Sequence, residues 1–281
     1  MTFISCAKTM TGRSKMQTPV TSTPQFQTEA IQNALDMSQF SAEELERLLR
    51  VNSKIAAENY IDFKISVGLS LALAALLAYT GIVYKRIHPQ DFTPEDFQYA
   101  QDHLRITSFL YGLLRPLDQI KNYRMEGDIK LPERGGISMF DYWKPILTDT
   151  FIKEIKEEEN TNQSGKWEMK DLFDWKRVEQ EVQVITPEFQ VWKKGKLTTV
   201  VVYAKMCRGE LTRFIIKTDR ESGDLKDSNG KDSVLMPDTA QLPTIFLAFF
   251  HKKILNSQPT QTFYQHSCYL VEFGKINLDN N

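Results

Sequence analysis

Three segments of the chain are rich in lysine and arginine, the side chains that bind phosphate groups. Residues 1–20 carry a formal charge of +3, residues 103–124 carry +3 and residues 193–217 carry +6. Since the whole chain has a net charge of −1, the remainder is acidic. If folding brings the three segments together, one face of the protein is basic, which is the electrostatic footprint of a nucleic-acid partner.

The individual cations of these segments have two interpretations. Arg105, Arg115 and Arg124 lie about ten residues apart, around a glycine and a proline. A guanidinium group can hold two phosphate oxygens at once, but the same residues could form ordinary ion pairs with Asp118 and Glu126. The same alternatives apply to three cations of the last segment, Lys205, Arg208 and Arg213.

Motifs for other chemistries are missing from the sequence. The four histidines are scattered, and no HxH, HExxH or Cys/His pair has ligand spacing, so neither a metal site nor a cofactor is predicted. Three widely spaced cysteines cannot form a disulfide framework, which favours a reducing, cytoplasmic location. Cys207 lies close to two cations that could lower its thiol pKa. No base can be identified beside it, so we expect it to pack as a small side chain.

The pattern of apolar residues predicts helices and strands without a regular βαβ alternation. The expected fold is therefore α+β or irregular α/β, a single domain with a mixed sheet. Capping residues predict helix starts at Ser41 and Thr93, the second helix running to about Tyr111. Further helices are expected over 29–37 and 209–217, and strands over 3–4, 182–185, 189–192 and 197–203.

Two regions differ from the rest of the chain. Residues 65–84 contain no charged side chain, and this uncharged run is long enough for a membrane span. Glycine and serine interrupt this run, so we expect it to be buried, a helix followed by a strand at 81–84, with no membrane association. Beyond about residue 220 the chain is polar and then abruptly apolar. The expected organisation is one domain over 1–220 and a divergent, poorly ordered tail over 221–281.

Four blocks of the sequence resemble the YaaA peroxide-stress protein family. Residues 5–9 (SCAKT) are similar to its SPAKT motif, and residues 76–84 (LLAYTGIVY) to its FxGxVY segment. Residues 103–127 follow its long LRxLSGLYGxLRPLDxxxxYRLEMG block, and residues 203–214 its YAKxARGxMxRF block. The resemblance covers about 1–217. It is weak over 62–73 and over 163–168, where the family has NLASxE, and it is not recognisable after about 220.

The resemblance implies a cytosolic protein that limits oxidative damage by hydrogen peroxide and affects intracellular iron. It also implies a single α/β domain with a basic cleft, a helix–hairpin–helix element and DNA binding. The order hydrophobic–Gly–hydrophobic in residues 110–114 has the form of such a hairpin, so we place its turn at Tyr111, Gly112 and Leu113.

The leading hypothesis is a monomeric protein that binds duplex or single-stranded DNA through phosphate contacts, without sequence preference and without a predicted reaction. Two alternatives stay open: a copy that has lost its function, and an enzyme acting on nucleotides or nucleic acid with Glu126 or Glu168 as general base. A carboxylate in the cleft without an arginine partner would favour the enzyme. The predicted phosphate contacts are Lys8, Arg105, Arg115, Arg124, Lys205, Arg208 and Arg213.

Overall fold

The computed structural model describes residues 1–66, 72–157, 170–182, 185–193, 196–218, 246–253 and 264–268. The α-helices within these ranges are α1 (Gln27–Met37), α2 (Ala42–Leu49), α3 (Ser53–Ser66), α4 (Ala75–Ala78), α5 (Ile82–Ile87), α6 (Pro94–His103), α7 (Met139–Glu157), α8 (Trp175–Glu181) and α9 (Val201–Thr218). The strands are β1 (Thr2–Ser5), β2 (Leu73–Ala74), β3 (Leu104–Ser108), β4 (Gly112–Leu114), β5 (Gln119–Ile120), β6 (Ile185–Lys193), β7 (Lys196–Thr198), β8 (Phe246–Lys253) and β9 (Tyr264–Cys268).

A small mixed sheet lies at the centre of the core. Strand β3 pairs in parallel with β1 and antiparallel with β4, and every residue of β3 is buried. The register sets Ile4 beside Ile106. Because β1 and β3 run in parallel, their carboxyl ends meet at one edge of the sheet, the edge at which open α/β sheets bind ligands. The predicted mixture of helices with a mixed sheet in one domain is confirmed.

Two further groups of strands complete the described structure. Strands β2 and β5 form an antiparallel pair, and a second sheet has the order β7-β6-β8-β9. Strand β8 pairs with β6 from Val191 opposite Phe246 to Ile185 opposite Lys252. Most of residues 221–281 lies outside the described ranges, so the boundary near residue 220 stays a prediction.

Helix starts follow their capping residues closely. The Ser41 hydroxyl accepts the Glu44 N–H at 3.2 Å, and the Glu44 carboxylate accepts the Ser41 N–H at 2.7 Å. Thr93 and Asp96 form the same reciprocal pair at the start of α6. Both predicted starts are confirmed, but α6 ends at His103 instead of Tyr111, because residues 104–107 pair with β1.

Two predicted strands are helical in the structure. Gly81 caps α5 and residues 82–84 form its first turn. Of the strand predicted over 197–203, residues 197–198 belong to β7, and Val201–Tyr203 form the first turn of α9. Both segments contain β-branched residues that favour strands intrinsically. Packing of α5 against α9 outweighs that preference, which amounts to no more than about 1 kcal/mol per residue.

The uncharged run of residues 65–84 is divided among several short elements. It contains the end of α3, then β2, α4 and the start of α5, while residues 67–71 lie outside the described ranges. Residues 74–79 are buried in the core. Within the described parts of the chain, no helix combines the length and the apolar character needed to cross a membrane.

Residues 109–111 form the turn of a β-hairpin and Gly112 and Leu113 begin β4, which corrects the helix–hairpin–helix element placed at residues 111–113. Strands β3 and β4 flank the turn, and the Tyr111 N–H donates to the Ser108 hydroxyl at 2.9 Å. Gly112 has a φ of +72°, and a Cβ there would lie 2.7 Å from the Trp143 ring. The turn is thus buried against α7, and its geometry follows from pairing within the sheet.

Helices α5 and α9 cross at a glycine. A Cβ on Gly209 would overlap the carbonyl oxygen of Val83 and would lie 2.5 Å from Cβ of Arg86. The crossing is also bridged by the ion pair of Arg86 with Glu210, at 3.3 Å. Only a residue without a side chain allows the two helices this separation.

Replacing Gly209 by alanine tests this contact, because the close approach and the helix propensity of alanine change the free energy of unfolding in opposite directions. In an open helix Gly→Ala stabilises by about 1 kcal/mol; here we expect destabilisation by about 1–3 kcal/mol, because the helices must separate. The control is Gly12→Ala, whose new Cβ would meet its nearest atom at 3.4 Å and should change stability by less than about 0.5 kcal/mol. Thermal or urea unfolding measures both, and a stabilised Gly209→Ala variant would contradict the close contact.

Candidate functional site

A cavity of about 690 Å³ opens at the carboxyl edge of the central sheet. Its walls come from the segment after β1, from Phe109 after β3, from the start of α5, from the loop at residues 123–128, from the end of α2 and from α9. The sequence blocks at residues 5–9, 76–84, 103–127 and 203–214, which are far apart along the chain, therefore meet around this cavity.

Charged side chains around the cavity are mostly cationic. Lys8 and Arg50 are 68% and 81% exposed, so this side of the cavity opens to solvent. Arg124 is mostly buried, with 21% of its side chain exposed. Five cations line the cavity against two carboxylates: Lys8, Arg50, Arg124, Lys205 and Arg208 against Glu126 and Asp128.

Both carboxylates of the cavity have arginine partners. Glu126 Oε1 lies 3.0 Å from Lys8 Nζ and 3.3 Å from Arg124 Nη2. Asp128 Oδ2 lies 2.9 Å from Arg50 Nη2. Glu126 is therefore held between two cations, and the charge that remains around the cavity is positive.

Helix α9 presents one face to the cavity. Lys205, Arg208 and Thr212 are three or four residues apart, which places them on the same side of a helix. Leu211 and Ile215 continue that face with apolar surface. Residues 203–209 (YAKMCRG) are helical throughout, whereas a strand was predicted over 197–203, and this helical spacing brings both cations to one cavity.

The inner wall of the cavity consists of the buried aromatic residues Tyr84, Phe109 and Tyr123, and the Tyr79 and Ser108 side chains contact Tyr123 from outside the cavity. The Tyr123 hydroxyl lies 2.7 Å from the Tyr79 hydroxyl and 2.7 Å from the Ser108 hydroxyl, and the Tyr84 hydroxyl donates to the Ser5 carbonyl at 2.9 Å. Burial raises the pKa of Tyr79, Tyr84 and Tyr123 well above the ordinary phenol value. These hydroxyls therefore stay protonated at neutral pH and act as hydrogen-bonding groups.

The two described cysteine side chains are poor nucleophiles. Burial raises the pKa of Cys6, which lines the cavity, to about 12. Burial, and to a lesser degree the Glu210 carboxylate, raise the pKa of Cys207 to about 12. Because only the thiolate reacts readily, the structure agrees with the interpretation of Cys207 as a packing residue.

Arg105 lies away from the cavity, in a buried structural site. Its Nε donates to Glu154 at 2.8 Å. Its Nη1 lies within 3.1 Å of three backbone carbonyl oxygens at the end of α6, those of residues 101, 102 and 104. Arg105 thus satisfies acceptors that a helix end leaves open.

Arg115 and Arg213 are also held by structural partners. Arg115 Nη2 donates to Asp118 at 3.1 Å and to the Thr23 carbonyl at 3.1 Å. Arg213 forms two bonds to Asp91, at 2.7 and 2.6 Å, and also donates to the carbonyls at the end of α5. Of the seven predicted phosphate contacts, four lie at the cavity: Lys8, Arg124, Lys205 and Arg208. The other three, Arg105, Arg115 and Arg213, do not line it.

Arg50 and Asp128 line the cavity but were not predicted. Arg50 follows the last residue of α2 and has a φ of +51°, so it ends the helix in the left-handed conformation. The basic segments chosen from the sequence did not include it. The capping box at Ser41 indicates only where α2 begins, so it did not locate Arg50.

Among the residues that the structure describes, no three His, Cys, Asp or Glu side chains are grouped so that they could hold a metal ion. Glu168, the alternative general base, lies outside the described residues.

Fold and site together define an α/β protein with a cation-lined cavity at the carboxyl edge of its central sheet. A family model described as "Peroxide stress protein YaaA" matches residues 1–232. The chain belongs to this family. A UPF0246 protein of Phocaeicola vulgatus is 88% identical over 231 residues, which cover 80% of this chain and 90% of that protein. UPF0246 proteins of Bacteroides fragilis and Clostridium beijerinckii are 64% and 34% identical, over 78% and 82% of this chain and 86% and 90% of their own lengths.

Replacing Arg105 by methionine tests its structural role. We expect a loss of about 3 kcal/mol in unfolding free energy, because the mostly buried Glu154 is left without its cation. The double variant with Glu154→Leu should recover part of the loss, since no unpaired charge then remains. Urea unfolding of the three proteins measures this. An Arg105→Met variant as stable as the parent would contradict the structural role of Arg105.

The Arg213–Asp91 pair predicts a change of stability in acid. The hydrogen bonds that Arg213 donates to Asp91 lower the pKa of the Asp91 carboxyl group from 3.8 to about 2. A lowered pKa stabilises the folded state above pH 4, and this contribution disappears as the pH falls from about 4 to 2. Asp91→Asn should therefore be less stable than the parent by about 0.5–1 kcal/mol at pH 7, a small value because the pair is partly exposed.

The stability difference between the parent and Asp91→Asn should shrink toward zero near pH 2. Urea unfolding at several pH values measures it. A difference that stays constant from pH 7 to pH 2 would show that the carboxylate charge of Asp91 does not contribute.

Proposed function

We propose that this peroxide stress protein is cytosolic and binds DNA through phosphate contacts at the mouth of the cavity. The observation that carries the proposal is the convergence of four predicted cations from three separate basic segments on one cavity. Lysine and arginine around a concave surface attract phosphates, and they gain affinity by displacing counterions from the nucleic acid.

The proposed contacts are the cations that line the cavity. Lys8 and Arg50 lie at the exposed mouth, and Lys205 and Arg208 lie on the cavity face of α9. Arg124 lies deeper and shares Glu126 with Lys8. Contacts to phosphates do not read bases, so the binding should be independent of sequence.

The helix–hairpin–helix element of this proposal is α2 with α3. Three residues, 50–52, join the two helices, and the Ile55 N–H donates to the Asn52 side chain at 2.9 Å to begin α3. The turn carries Arg50 at the edge of the cavity. A duplex lying across the mouth would meet this turn and α9 together.

The arrangement favours binding over catalysis. An enzyme acting on nucleic acid would need a carboxylate available as general base. Glu126 and Asp128 each have an arginine partner, which is the arrangement expected for charge balance. The proposal therefore includes no reaction.

The family resemblance adds a biological consequence to the proposal. DNA covered by the protein would be less accessible to radicals that iron and hydrogen peroxide generate in solution. The corresponding experiment follows nicking of plasmid DNA by ferrous iron and hydrogen peroxide, with and without the protein. Equal nicking at saturating protein would contradict this part of the proposal alone.

A salt titration of DNA affinity tests the phosphate contacts. Each contact contributes about 0.9 to the slope of log affinity against log salt concentration. Lys8→Ala, Lys205→Ala and Arg208→Ala should therefore each weaken binding and reduce the slope by about one. Arg115→Ala is the matched control: it removes the same kind of charge away from the cavity and should leave the slope unchanged.

Two outcomes would contradict the site assignment. If the parent binds neither duplex nor single strands in a salt-dependent way, DNA is not the partner of this chain. If the parent binds but the three cavity variants keep its slope, the phosphate contacts lie elsewhere. A thermal melt of each variant separates loss of binding from loss of folding.

A further inference from the structure

We propose that the cavity accommodates one nucleotide, with the phosphate at the cationic mouth and the base against the aromatic inner wall. The inference rests on the proposed function and names the part of the nucleic acid that enters the site. Its chemistry is that of a nucleoside monophosphate, either within a strand or free in solution.

The size of the cavity decides between a duplex and a single nucleotide. Its volume of about 690 Å³ falls in the range of about 300–1,000 Å³ found for small-molecule sites. A sphere of this volume is about 11 Å across, whereas the major groove of B-DNA alone is about 12 Å wide. A duplex can therefore touch only the mouth, while an unstacked nucleotide fits inside.

The polarity of the walls matches the two halves of a nucleotide. The mouth carries the exposed cations Lys8 and Arg50, and the inner wall carries Phe109 and Tyr123, which are 5% and 6% exposed. A phosphate is charged and a base has apolar faces that stack on aromatic side chains. One ligand of this kind satisfies both ends of the cavity.

Phe140 extends the aromatic surface into the cavity. It is half-buried and packs edge-on against Phe109, with ring centroids 5.0 Å apart and an angle of 84° between the rings. Gly127 makes room for this pair, because a Cβ there would overlap Phe140 and lie 2.5 Å from Phe109. The sequence of the loop thus provides an aromatic wall beside the charged residues.

Arg124 supplies a donor between the two ends. Its Nη2 is bound to Glu126, but its Nε is buried and has no hydrogen-bond partner within the described structure. A buried donor without a partner is costly. An acceptor on a bound phosphate or base would satisfy it, which is a second, independent reason to expect a polar ligand here.

Affinity for duplexes with and without an unpaired nucleotide tests the inference. A matched duplex must lose the stacking of one base before the base can enter, whereas a single-nucleotide bulge has already lost its pairing. At fixed salt concentration we expect the full chain to bind the bulged duplex at least tenfold more tightly than the matched one. Ile82→Trp, which enlarges a half-buried side chain of the cavity wall, should abolish this preference and keep the affinity for matched duplex.

The control variant is Ile137→Trp, which makes the same change at a residue that is 44% exposed and outside the cavity lining; it should keep the preference. Thermal melts establish that both variants fold. Equal affinity of the parent for the two duplexes would overturn the inference and leave the proposed DNA binding intact. Absence of binding to both would overturn the proposed function itself.

A competition experiment shows whether the cavity binds a free nucleotide or only a nucleotide within a DNA strand. If added adenosine monophosphate removes the preference for the bulge, and adenosine does not, the cavity binds a nucleoside monophosphate and a free nucleotide can occupy it. If neither compound competes while the preference persists, the nucleotide enters only as part of the strand. A bulge preference that survives in Ile82→Trp would show that the unpaired base is held outside the cavity, and the inference would fail.

Discussion

Two close approaches at glycine determine where the cations of the cavity lie. A Cβ on Gly81 would lie 2.7 Å from Cβ of Ala7, so the start of α5 rests directly on the segment after β1. Gly209 then brings α9 onto the same helix. Three sequence blocks are stacked through α5 in this way, and the lysines and arginines beside the glycines come to one space. A larger side chain at either glycine would separate the blocks and change the distances between the charges.

The electrostatics of the site are local because the whole molecule is nearly neutral. With a net charge of −1, the protein has no long-range attraction for a polyanion, and salt at physiological concentration screens exposed charges beyond about 8 Å. The excess of five cations over two carboxylates in one cavity is therefore effective only at short range. Glu126 limits repulsion between Lys8 and Arg124 when no anion is bound, and a bound phosphate would share those same cations.

Sequence reasoning succeeded where structure depends on neighbouring residues and failed where it depends on distant ones. The Ser41 cap is local, as is the pairing of Arg115 with Asp118 three residues away, which was one of the two interpretations stated. Arg105 pairs with a carboxylate 49 residues away and Arg213 with one 122 residues away, so their structural roles had no local signal. The β-branched residues before Ala204 favoured a strand, and only their packing partner made them helical. Membership of the family was recognisable because its blocks include the glycines that tertiary packing requires.

The peroxide stress role of the family and the chemistry of the cavity are compatible without a reactive thiol. Cys6 lies at the cavity, but burial raises the pKa of its thiol to about 12. Burial also raises the pKa of the Cys207 thiol to about 12. The thiolate fraction of both is therefore minute at neutral pH, and oxidation by peroxide depends on the thiolate. The same burial that suppresses thiol chemistry keeps the neighbouring tyrosines neutral and the inner wall apolar. A wall of this kind favours a ligand that is charged at one end only. Under the proposed function, the cavity would therefore act through the ligand that it holds, without oxidation of these two cysteines.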